Sequence, residues 1–311
     1  MIKLKDDIKN LFKKNEYIVD VYDFYKATIN KIKLRRSPEK FIEKIYFKKF
    51  GYKIDLKNPK TFNEKLNWMK LYWHDPLLTR CIDKYEVRKY LKEIGYENLL
   101  TKLIGVYSDI DEIDFSKLPN KFVLKMNNGS GCNILCKDKT KLNIPEIKKL
   151  FKREMKRNYY YTYGEWGYKN IIPKIICEEY IETLDGKPPK DYKIFCFNGE
   201  PQYLFMASDR IDHQTKFDFY TIDWKWLPVK NHYPNAGDIL EKPKCLDEML
   251  ELARKLSKPF PEVRIDFYYE NEKIIFGEFT FYHFSAFVPF KPKEFDLEMG
   301  SKFILPNKKL K

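Results

Sequence analysis

The spacing of apolar residues changes at Leu118-Pro119, and this change constrains the fold more than any other feature of the sequence. Before it, apolar residues recur at the three- and four-residue intervals of helices; after it, short runs rich in aromatic and β-branched residues predict strands. The predicted strands are residues 122–125, 134–137, 175–181, 192–197, 203–206, 217–220, 263–268 and 274–281. Helical patterns at about 142–157 and 246–257 separate them without strict alternation, so we predict an α+β fold rather than a doubly wound sheet.

The first 50 residues are predicted to form a basic helical extension. They carry 14 basic and 7 acidic side chains, which is half of the chain's net charge of +14. Apolar residues at helical spacing begin at Ile8, Leu11 and Phe12, and Ser37-Pro38 marks a second helix start. Two interpretations remain open, namely contact with a membrane surface or a packed helical cap with solvated lysines. The basic residues of the membrane interpretation are Lys31, Lys33, Arg35 and Arg36.

Three further regions are predicted after the extension. Residues 51–120 form a helix-rich N-terminal lobe, which opens with the capping-box pattern Thr61-Phe-Asn-Glu64 and continues with a helix at about 76–95. Residues 121–300 carry the strands and form the main lobes. Residues 301–311 are predicted to be a basic, mobile tail.

Several function classes lack their sequence signatures. No apolar run approaches the roughly 18 residues that span a bilayer, which predicts a soluble, cytoplasmic protein, with the inner face of the membrane as an alternative location. The six cysteines include no CxxC pair, so buried free thiols are predicted rather than structural zinc. No P-loop, GxGxxG, GxSxG or HExxH motif is present. With four histidines in the chain, the chemistry is expected to rest on lysine, arginine and carboxylates.

The first candidate site is a loop between two predicted strands. Asn127-Asn-Gly-Ser-Gly131 follows Lys125, and its two glycines let backbone amides turn toward an anion. Lys125 would add a point charge to the same phosphate. The alternative is an ordinary Asn-Gly hairpin with a lysine that reaches solvent.

The strongest local pattern is a predicted hairpin at residues 263–280. Arg264 and Asp266 alternate with apolar residues and therefore share one face of a strand. A short turn places Asp266 opposite Glu278, and in the same register Arg264 lies opposite Thr280. Opposed carboxylates destabilise each other unless they are neutralised, and a divalent cation is the predicted neutraliser. The alternative is a solvated strand face on which Arg264 pairs with one of the acids.

A third segment is the acidic end of the predicted strand 175–181. It runs into Glu182, and Asp191-Tyr-Lys193 opens the next strand. Such a strand edge would present backbone groups to an adenine ring and a carboxylate to ribose hydroxyls. The simpler interpretation is a solvated β-hairpin.

These segments occur in the order that ATP-grasp enzymes show, and the phrases around them carry a closer resemblance. The phrases are Pro59-Lys-Thr-Phe-Asn-Glu-Lys65, Asp83-Lys-Tyr-Glu-Val-Arg88, Leu118-Pro-Asn-Lys-Phe-Val-Leu-Lys125, Asp191-Tyr-Lys-Ile-Phe-Cys-Phe-Asn-Gly199 and Gly277-Glu-Phe-Thr280. Over roughly residues 50–300 the chain resembles the TupA-like ATP-grasp family, which is associated with bacterial surface-polysaccharide and teichuronopeptide biosynthesis and is often labelled as glycosyltransferase. The resemblance implies an ATP-grasp fold, in which two α+β lobes clamp a nucleotide.

The resemblance also implies roles for single residues. ATP would be bound by Lys84, Arg88 and Lys125, covered by Gly129, Ser130 and Gly131, and lined on its adenine and ribose side by Glu178, Glu179, Tyr180, Ile181, Asp191 and Lys193. Mg²⁺ would be held by Asp266, Glu278 and Thr280, and Mn²⁺ suits the same ligands. Arg264, together with Lys125, would stabilise the reacting groups.

The implied reaction is ATP-dependent ligation of a carboxylate to an amine. The carboxylate attacks the γ-phosphate of ATP, and the amine then displaces phosphate from the acyl phosphate. The implied partners are an amino acid or amine and a sugar-acid or glycan acceptor for polysaccharide or capsule synthesis, and no nucleic acid. A metal-dependent glycosyltransferase that uses Asp109-Ile-Asp111, and a non-catalytic module whose basic aromatic surface holds an acidic glycan or lipid headgroup, are the alternatives.

The chain departs from the family pattern at two places. Asn128 stands where the loop of the family has histidine, and the aromatic residues of 281–287 stand where a small Pro/Gly/Ser segment is expected. These aromatics predict a reshaped acceptor pocket or stacking on a sugar ring.

Overall fold

A computed structural model describes residues 16–183, 186, 188–208, 215–237 and 239–310, and the side chains from residue 25 onward within those ranges. The predicted apolar positions Ile8, Leu11 and Phe12 lie outside the described residues. The α-helices are α1 (Glu16–Arg36), α2 (Pro38–Phe50), α3 (Phe62–Tyr72), α4 (Pro76–Ile82), α5 (Glu86–Glu93), α6 (Ile144–Glu154), α7 (Tyr160–Tyr163), α8 (Leu246–Ser257) and α9 (Glu294–Lys302). The strands are β1 (Leu103–Tyr107), β2 (Phe122–Met126), β3 (Asn133–Cys136), β4 (Ile175–Glu179), β5 (Lys190–Phe197), β6 (Glu200–Ser208), β7 (Lys216–Thr221), β8 (Trp226–Leu227), β9 (Lys230–Asn231), β10 (Glu262–Glu270), β11 (Lys273–Thr280) and β12 (Phe290–Lys291).

Two antiparallel sheets form the framework, and the predicted α+β class is confirmed. The small sheet has the strand order β1-β4-β2-β3, and the large sheet has the order β11-β10-β5-β6-β7-β8. Strands β9 and β12 pair with each other beside the large sheet. Helix α8 packs against β5, β6 and β10. Each sheet therefore has its own buried core.

The eight predicted strands are present, with bounds shifted by a few residues. Strand β1 was not predicted. Its sequence is short and interrupted by Gly105, and its pairing with β4 is irregular between Leu103 and Gly105. Because glycine weakens a strand pattern, this element gives little signal in the sequence.

The predicted helix at 76–95 is instead two helices that break at Asp83. The Asp83 side chain accepts hydrogen bonds from the backbone N–H of Tyr85 (2.8 Å) and Glu86 (3.2 Å), so it caps α5. Its other oxygen accepts from Asn127 Nδ2 at 2.8 Å. The single-helix prediction was therefore wrong, because a carboxylate that caps a new helix start ends the preceding one. The break ties the segment that carries Lys84 to the loop after β2.

The capping box at the start of α3 is confirmed. Thr61 Oγ1 accepts from the backbone N–H of Glu64, and the Glu64 carboxylate accepts from the N–H of Thr61. Helix α3 then buries Phe62, Leu66 and Met69 completely.

Helices α1 and α2 form a cap on this body, with the break at Ser37 that the sequence predicts. Leu34, Ile42 and Tyr46 are buried, and they share a core with Phe287. This packing corresponds to the cap interpretation of the extension. No helix of the described residues is long and apolar enough to cross a membrane.

The C-terminal segment lies along the end of α3. The Lys309 N–H donates to the carbonyl of Tyr72, and the Lys309 carbonyl accepts from the N–H of His74, both at 2.7 Å. Phe303 is fully buried. The predicted basic tail therefore has backbone pairs with the first lobe and an apolar anchor.

Candidate active site

The candidate site begins on one face of β10. Arg264 and Asp266 lie two residues apart on this face and are 8% and 2% exposed. β10 pairs with β11 so that Asp266 lies opposite Glu278. In the same pairing Arg264 lies opposite Thr280. The predicted register is therefore confirmed.

Protein side chains neutralise the two opposed carboxylates. Arg264 donates from Nε to Oδ1 of Asp266 at 2.7 Å and from Nη2 to Oδ2 at 2.8 Å, and Lys193 also binds Oδ2. Glu278 lies 3.4 Å from Lys84 Nζ. The chain thus supplies the positive charge that the local pattern assigned to a divalent cation. The local pattern could not show this, because Lys193 and Lys84 come from distant segments.

These cations keep the carboxylates ionised. Burial opposes ionisation of Asp266, but Arg264 and Lys193 outweigh it and hold the pKa of this carboxyl below its ordinary value. Burial likewise opposes ionisation of Glu278, and Lys84 makes the largest contribution to holding its pKa below the ordinary value. Both side chains are therefore anionic at neutral pH.

His283, which the sequence reasoning did not select, completes this buried group. Its Nδ1 lies 2.7 Å from Arg264 Nη1, and its Nε2 lies 2.9 Å from Asn231 Oδ1. Because arginine can only donate, Nδ1 accepts and Nε2 carries the hydrogen that Asn231 accepts. Burial, reinforced by Arg264 and Lys193, holds the pKa of His283 well below its ordinary value, so the ring is neutral.

We call Asp191, Lys193, Arg264, Asp266 and His283 the large-sheet cluster. Asp191 Oδ2 lies 2.8 Å from Lys193 Nζ, and Asp191 is 1% exposed. The structure thus places the predicted ribose-binding acid inside the same buried group as Asp266. Two cations face two carboxylates, so the cluster is electrically balanced.

A buried acid lies beneath this cluster on the same face of β10. Glu262 is fully buried, and neither of its carboxyl oxygens has a hydrogen-bond partner. Burial raises the pKa of this group well above its ordinary value, although Arg264 partly opposes the rise. Its position two residues before Arg264 is a signal that the sequence contained.

A second charged group lies on the small sheet. Glu178 on β4 receives Lys125 Nζ from β2 at 2.5 Å and Arg88 Nη1 from α5 at 2.8 Å. We call these three residues the small-sheet cluster. It has two cations for one carboxylate, and the Lys125 side chain is 19% exposed. The excess positive charge makes this cluster the better place for an anionic ligand.

Lys84 links the loop after β2 to the hairpin of β10 and β11. Its Nζ donates to the carbonyl of Gly129 at 2.7 Å and lies 3.4 Å from Glu278. Asn127 anchors the same loop, since its carbonyl accepts from the Lys84 N–H at 2.8 Å. The loop is thus part of a contact between lobes, which an ordinary Asn-Gly hairpin would not make.

The loop requires its first glycine. Gly129 has φ of 71°, and a Cβ at this position would lie 2.0 Å from the ring of Tyr159. Ser130 and Gly131 follow and are exposed. Ser130 and Gly131 therefore form an open rim, and the buried Gly129 ties this rim to Lys84.

The acidic strand differs from the prediction. β4 is an interior strand that pairs with β1 and β2, and it makes no hairpin with β5, which lies in the large sheet. Both the edge-strand and the hairpin interpretations were wrong, because the run Ile175-Ile-Cys177 is buried on both faces of the small sheet. Glu179 ends the strand and is exposed, and Tyr180 and Ile181 continue beyond it, half-buried.

The donor set at the hairpin fits Mg²⁺ by ligand type, and a metal there would compete with Arg264, which binds Asp266 and Thr280. Asp266, Glu278 and Thr280 offer oxygen donors only, and two of them are ionised carboxylates at opposed positions. Mg²⁺ is usually held by one or two carboxylates together with phosphate oxygens and water. The described residues contain no group of three or more metal-binding side chains. A metal held here would therefore need oxygens from a bound phosphate.

The aromatic segment after β11 packs inward. Phe281, Tyr282 and Phe287 are at most 3% exposed. Phe281 and Phe287 therefore expose little ring surface, and the prediction of stacking on a sugar ring rests on the partly buried Phe284. Phe284 and Ser285 have φ of 45° and 53°, a left-handed conformation that costs free energy in residues other than glycine.

Contacts from α3 and from Glu165 hold this strained turn. Lys70 Nζ donates to the carbonyl of Ser285 at 2.5 Å, and Ser285 Oγ donates to Glu165 at 2.5 Å. Asn67 Nδ2 donates to the carbonyl of Ala286 at 2.9 Å. The turn thereby fixes the segment that carries His283.

The acidic pattern Asp109-Ile-Asp111 has other partners. The Asp109 side chain accepts from the N–H of Asp111 at 2.9 Å and starts a short 3₁₀ turn. Asp111 binds Lys148 Nζ at 2.9 Å and Lys152 Nζ at 2.5 Å. Both acids are exposed, so their surroundings are those of a surface loop. All six cysteines are free and buried, as predicted.

The part of the chain after α2 matches a known protein family. The profile of the family described as TupA-like ATPgrasp matches residues 64–304. No curated protein matches the sequence. Helices α1 and α2 lie before the matched region.

Solved structures resemble parts of the chain at low identity. The D-alanine–D-alanine ligase of Bacillus anthracis is 16% identical over 66% of this chain and 58% of its own, with a TM-score of 0.38. The ATP-grasp ligase PsnB with a minimal precursor is 12% identical over 67% of this chain and 54% of its own, with a TM-score of 0.39. N5-carboxyaminoimidazole synthase of Aspergillus clavatus is 13% identical over 66% and 46%, with a TM-score of 0.38. The chain thus spans about half the length of these proteins.

Proposed function

The chain belongs to the TupA-like ATP-grasp family, and from this premise we propose that it is an ATP-dependent ligase that joins a carboxylate to an amine through an acyl phosphate. The observation that carries the proposal is the contact of Lys84 with both the Gly129 carbonyl and Glu278. This contact brings the open loop and the carboxylate pair into one site. A nucleotide phosphate in that site would meet the excess positive charge of the small-sheet cluster.

The residues divide the work by their electrostatic surroundings. Lys125 and Arg88 would bind phosphate oxygens, since together they outnumber the carboxylate Glu178. The loop of Gly129, Ser130 and Gly131 would cover the phosphates with backbone N–H groups.

Asp266, Glu278 and Thr280 would hold Mg²⁺. The metal would supply neutralisation of phosphate charge during transfer. Arg264 is fixed on three sides by Asp266, Thr280 and His283, and a guanidinium fixed in this way stabilises negative charge on a reacting oxygen without reorganising. Catalysis would therefore rest on positioning and charge rather than on a histidine base.

We further propose that one substrate is an amino acid or amine and the other a sugar acid of a surface polysaccharide. The net charge of +14 supports an anionic partner, and the family resemblance supports the polysaccharide.

A binding experiment tests the nucleotide site first. Calorimetric titration with a non-hydrolysable ATP analogue should show binding that Mg²⁺ strengthens in the wild type. Asp266→Asn should lose the Mg²⁺ effect, whereas the matched surface variant Asp223→Asn should keep it. UDP serves as the comparison ligand, and binding of UDP without binding of the ATP analogue would contradict the proposal.

A labelling experiment then tests the reaction. The enzyme is incubated with ATP, amino acids and glucuronate whose carboxylate carries ¹⁸O. An acyl phosphate passes one labelled oxygen to the released phosphate, so ¹⁸O-phosphate is the expected product. Phosphate release that carries no label under conditions of amide formation would rule out this intermediate.

A further inference from the structure

A large basic cleft lies outside the site described so far. It encloses about 1410 Å³ between α1 on one side and α6, α7 and the segment joining them on the other. Eight of its lining residues are basic and one, Glu154, is acidic. The basic residues on facing walls include Lys26 and Lys31 from α1, and Lys156 and Arg157 beyond α6.

Carboxylates of the protein compensate part of this charge. Asp111 binds Lys148 and Lys152, and Glu154 lies 3.6 Å from the guanidinium of Arg157. Three lysines on the facing walls, Lys26, Lys31 and Lys156, lie outside these ion pairs. Like charges on facing walls repel unless an anion lies between them, so the cleft is suited to a polyanion.

The cleft adjoins the loop of the candidate active site. The Arg157 guanidinium lies 4.8 Å from the ring centre of Tyr159, whose hydroxyl donates to the Ser130 carbonyl at 2.8 Å. The same ring lies against Gly129. A ligand held near Arg157 therefore lies close to the loop of Gly129, Ser130 and Gly131, which is assigned to phosphates.

We propose that this cleft binds an oligosaccharide that carries carboxylates on successive sugars, and that it guides this chain toward the active site. The role of this oligosaccharide as the acceptor of the ligase rests on the proposed function. Its binding in the cleft does not. Six of the eight cations are lysines, which are flexible point charges and can each meet a carboxylate without requiring one fixed geometry. Tyr161, with Lys31 Nζ 5.5 Å from its ring centre, combines an apolar face with a charge.

The shape of the site favours this occupant over a membrane. The charges line two walls of a concavity, and a bilayer surface cannot enter it. The wall from α1 lies before the region that matches the family, residues 64–304, so the cleft depends on a part of this chain that the family match does not include.

The test is fluorescence anisotropy with a labelled galacturonate oligomer, on the full chain and without nucleotide. Lys31→Glu with Lys156→Glu should weaken binding roughly tenfold, since two attractions become repulsions. The matched control, Lys33→Glu with Lys40→Glu, makes the same charge change at exposed positions outside the cleft and should bind like the wild type. Thermal unfolding midpoints of both double variants that equal the midpoint of the wild type show that the variants are folded.

Three results would overturn the proposal. One is equal weakening by both double variants, which shows that only net charge matters. Another is the absence of binding by the wild type at low salt. The third is stronger competition by inorganic polyphosphate or phosphatidylglycerol vesicles than by unlabelled galacturonate oligomer. Galacturonate binding by a protein that shows no ATP turnover would leave the cleft in place and remove the proposed ligase.

Discussion

The two charged clusters of the candidate site differ in burial and in charge balance. In the large-sheet cluster, two cations face two carboxylates, and every member is at most 8% exposed. In the small-sheet cluster, two cations face one carboxylate, and Lys125 reaches solvent. The same side-chain types therefore have different roles: the balanced cluster holds its members in place, and the unbalanced one keeps positive charge for a ligand.

Removing the central carboxylate should produce the largest effect. Asp266→Asn leaves Arg264 and Lys193 buried without their shared anion, and breaking a buried pair costs about 3 kcal/mol of unfolding free energy. Turnover should fall by about a thousandfold or more, because Arg264 loses its orientation as well as its counter-charge. Urea unfolding and phosphate release measure the two effects.

The matched control is Asp223→Asn. Asp223 pairs with Lys225 on the surface, and both side chains are more than half exposed, so neither measurement should change. An Asp266 variant as stable as this control would show that the large-sheet cluster is not the rigid element that the comparison makes it.

Lys125→Ala should have the opposite balance of effects. Glu178 keeps Arg88 as its partner, so the unfolding free energy should fall by less than about 1 kcal/mol. Affinity for the ATP analogue should fall by about a hundredfold, since one charge-assisted contact with phosphate is lost. Lys121→Ala, at an exposed pair with Glu182, is the control and should bind the analogue like the wild type. Unchanged affinity in Lys125→Ala would move the phosphate site away from the small sheet.

Glu262→Gln should change the stability of the protein in a pH-dependent way. The folded-state pKa of this carboxyl is raised, so its contribution to stability is full below the unfolded value, about 4.3, and is lost as pH rises toward the folded value. Glutamine carries no such penalty, so the variant should be more stable than the wild type at pH 7, by a margin that shrinks as the pH falls and vanishes near pH 4. A variant that is less stable at pH 7 would mean that Glu262 is ionised and needed by Arg264.

The parts of the site that could be predicted from sequence are local. Alternation and a short turn around Glu272 predict the pairing of Asp266 with Glu278. In the structure the turn pairs Glu270 with Lys273, and an irregularity between Asp266 and Phe267 shifts the register by one residue to give that pairing. The loop after Lys125 could also be predicted, because its two glycines are close together in the sequence.

The partners of these residues could not be predicted, because the closing of the sheets brings them together. Lys193 reaches Asp266 from a neighbouring strand, and Lys84 arrives through the helix break at Asp83. The strand with Glu178 was interpreted by its acidic end, although its apolar run already indicated an interior position. Asn231 lies on a two-residue strand, which is too short to show a pattern.

His283→Gln tests the finest step of the comparison, namely whether a neutral ring helps to hold Arg264. Glutamine keeps an acceptor but not the rigid bridge to Asn231, so kcat should fall about tenfold while the KM for ATP stays nearly unchanged. His74→Gln, at a histidine stacked on Trp166 away from the cluster, should leave both values unchanged.

Because the pKa of His283 is held well below its ordinary value, the kcat of the wild type should show no histidine ionisation between pH 6 and 7. An ionisation in that range that disappears in His283→Gln would mean that the ring is charged during turnover, and the large-sheet cluster would then be a proton-exchanging site rather than a balanced, fixed one.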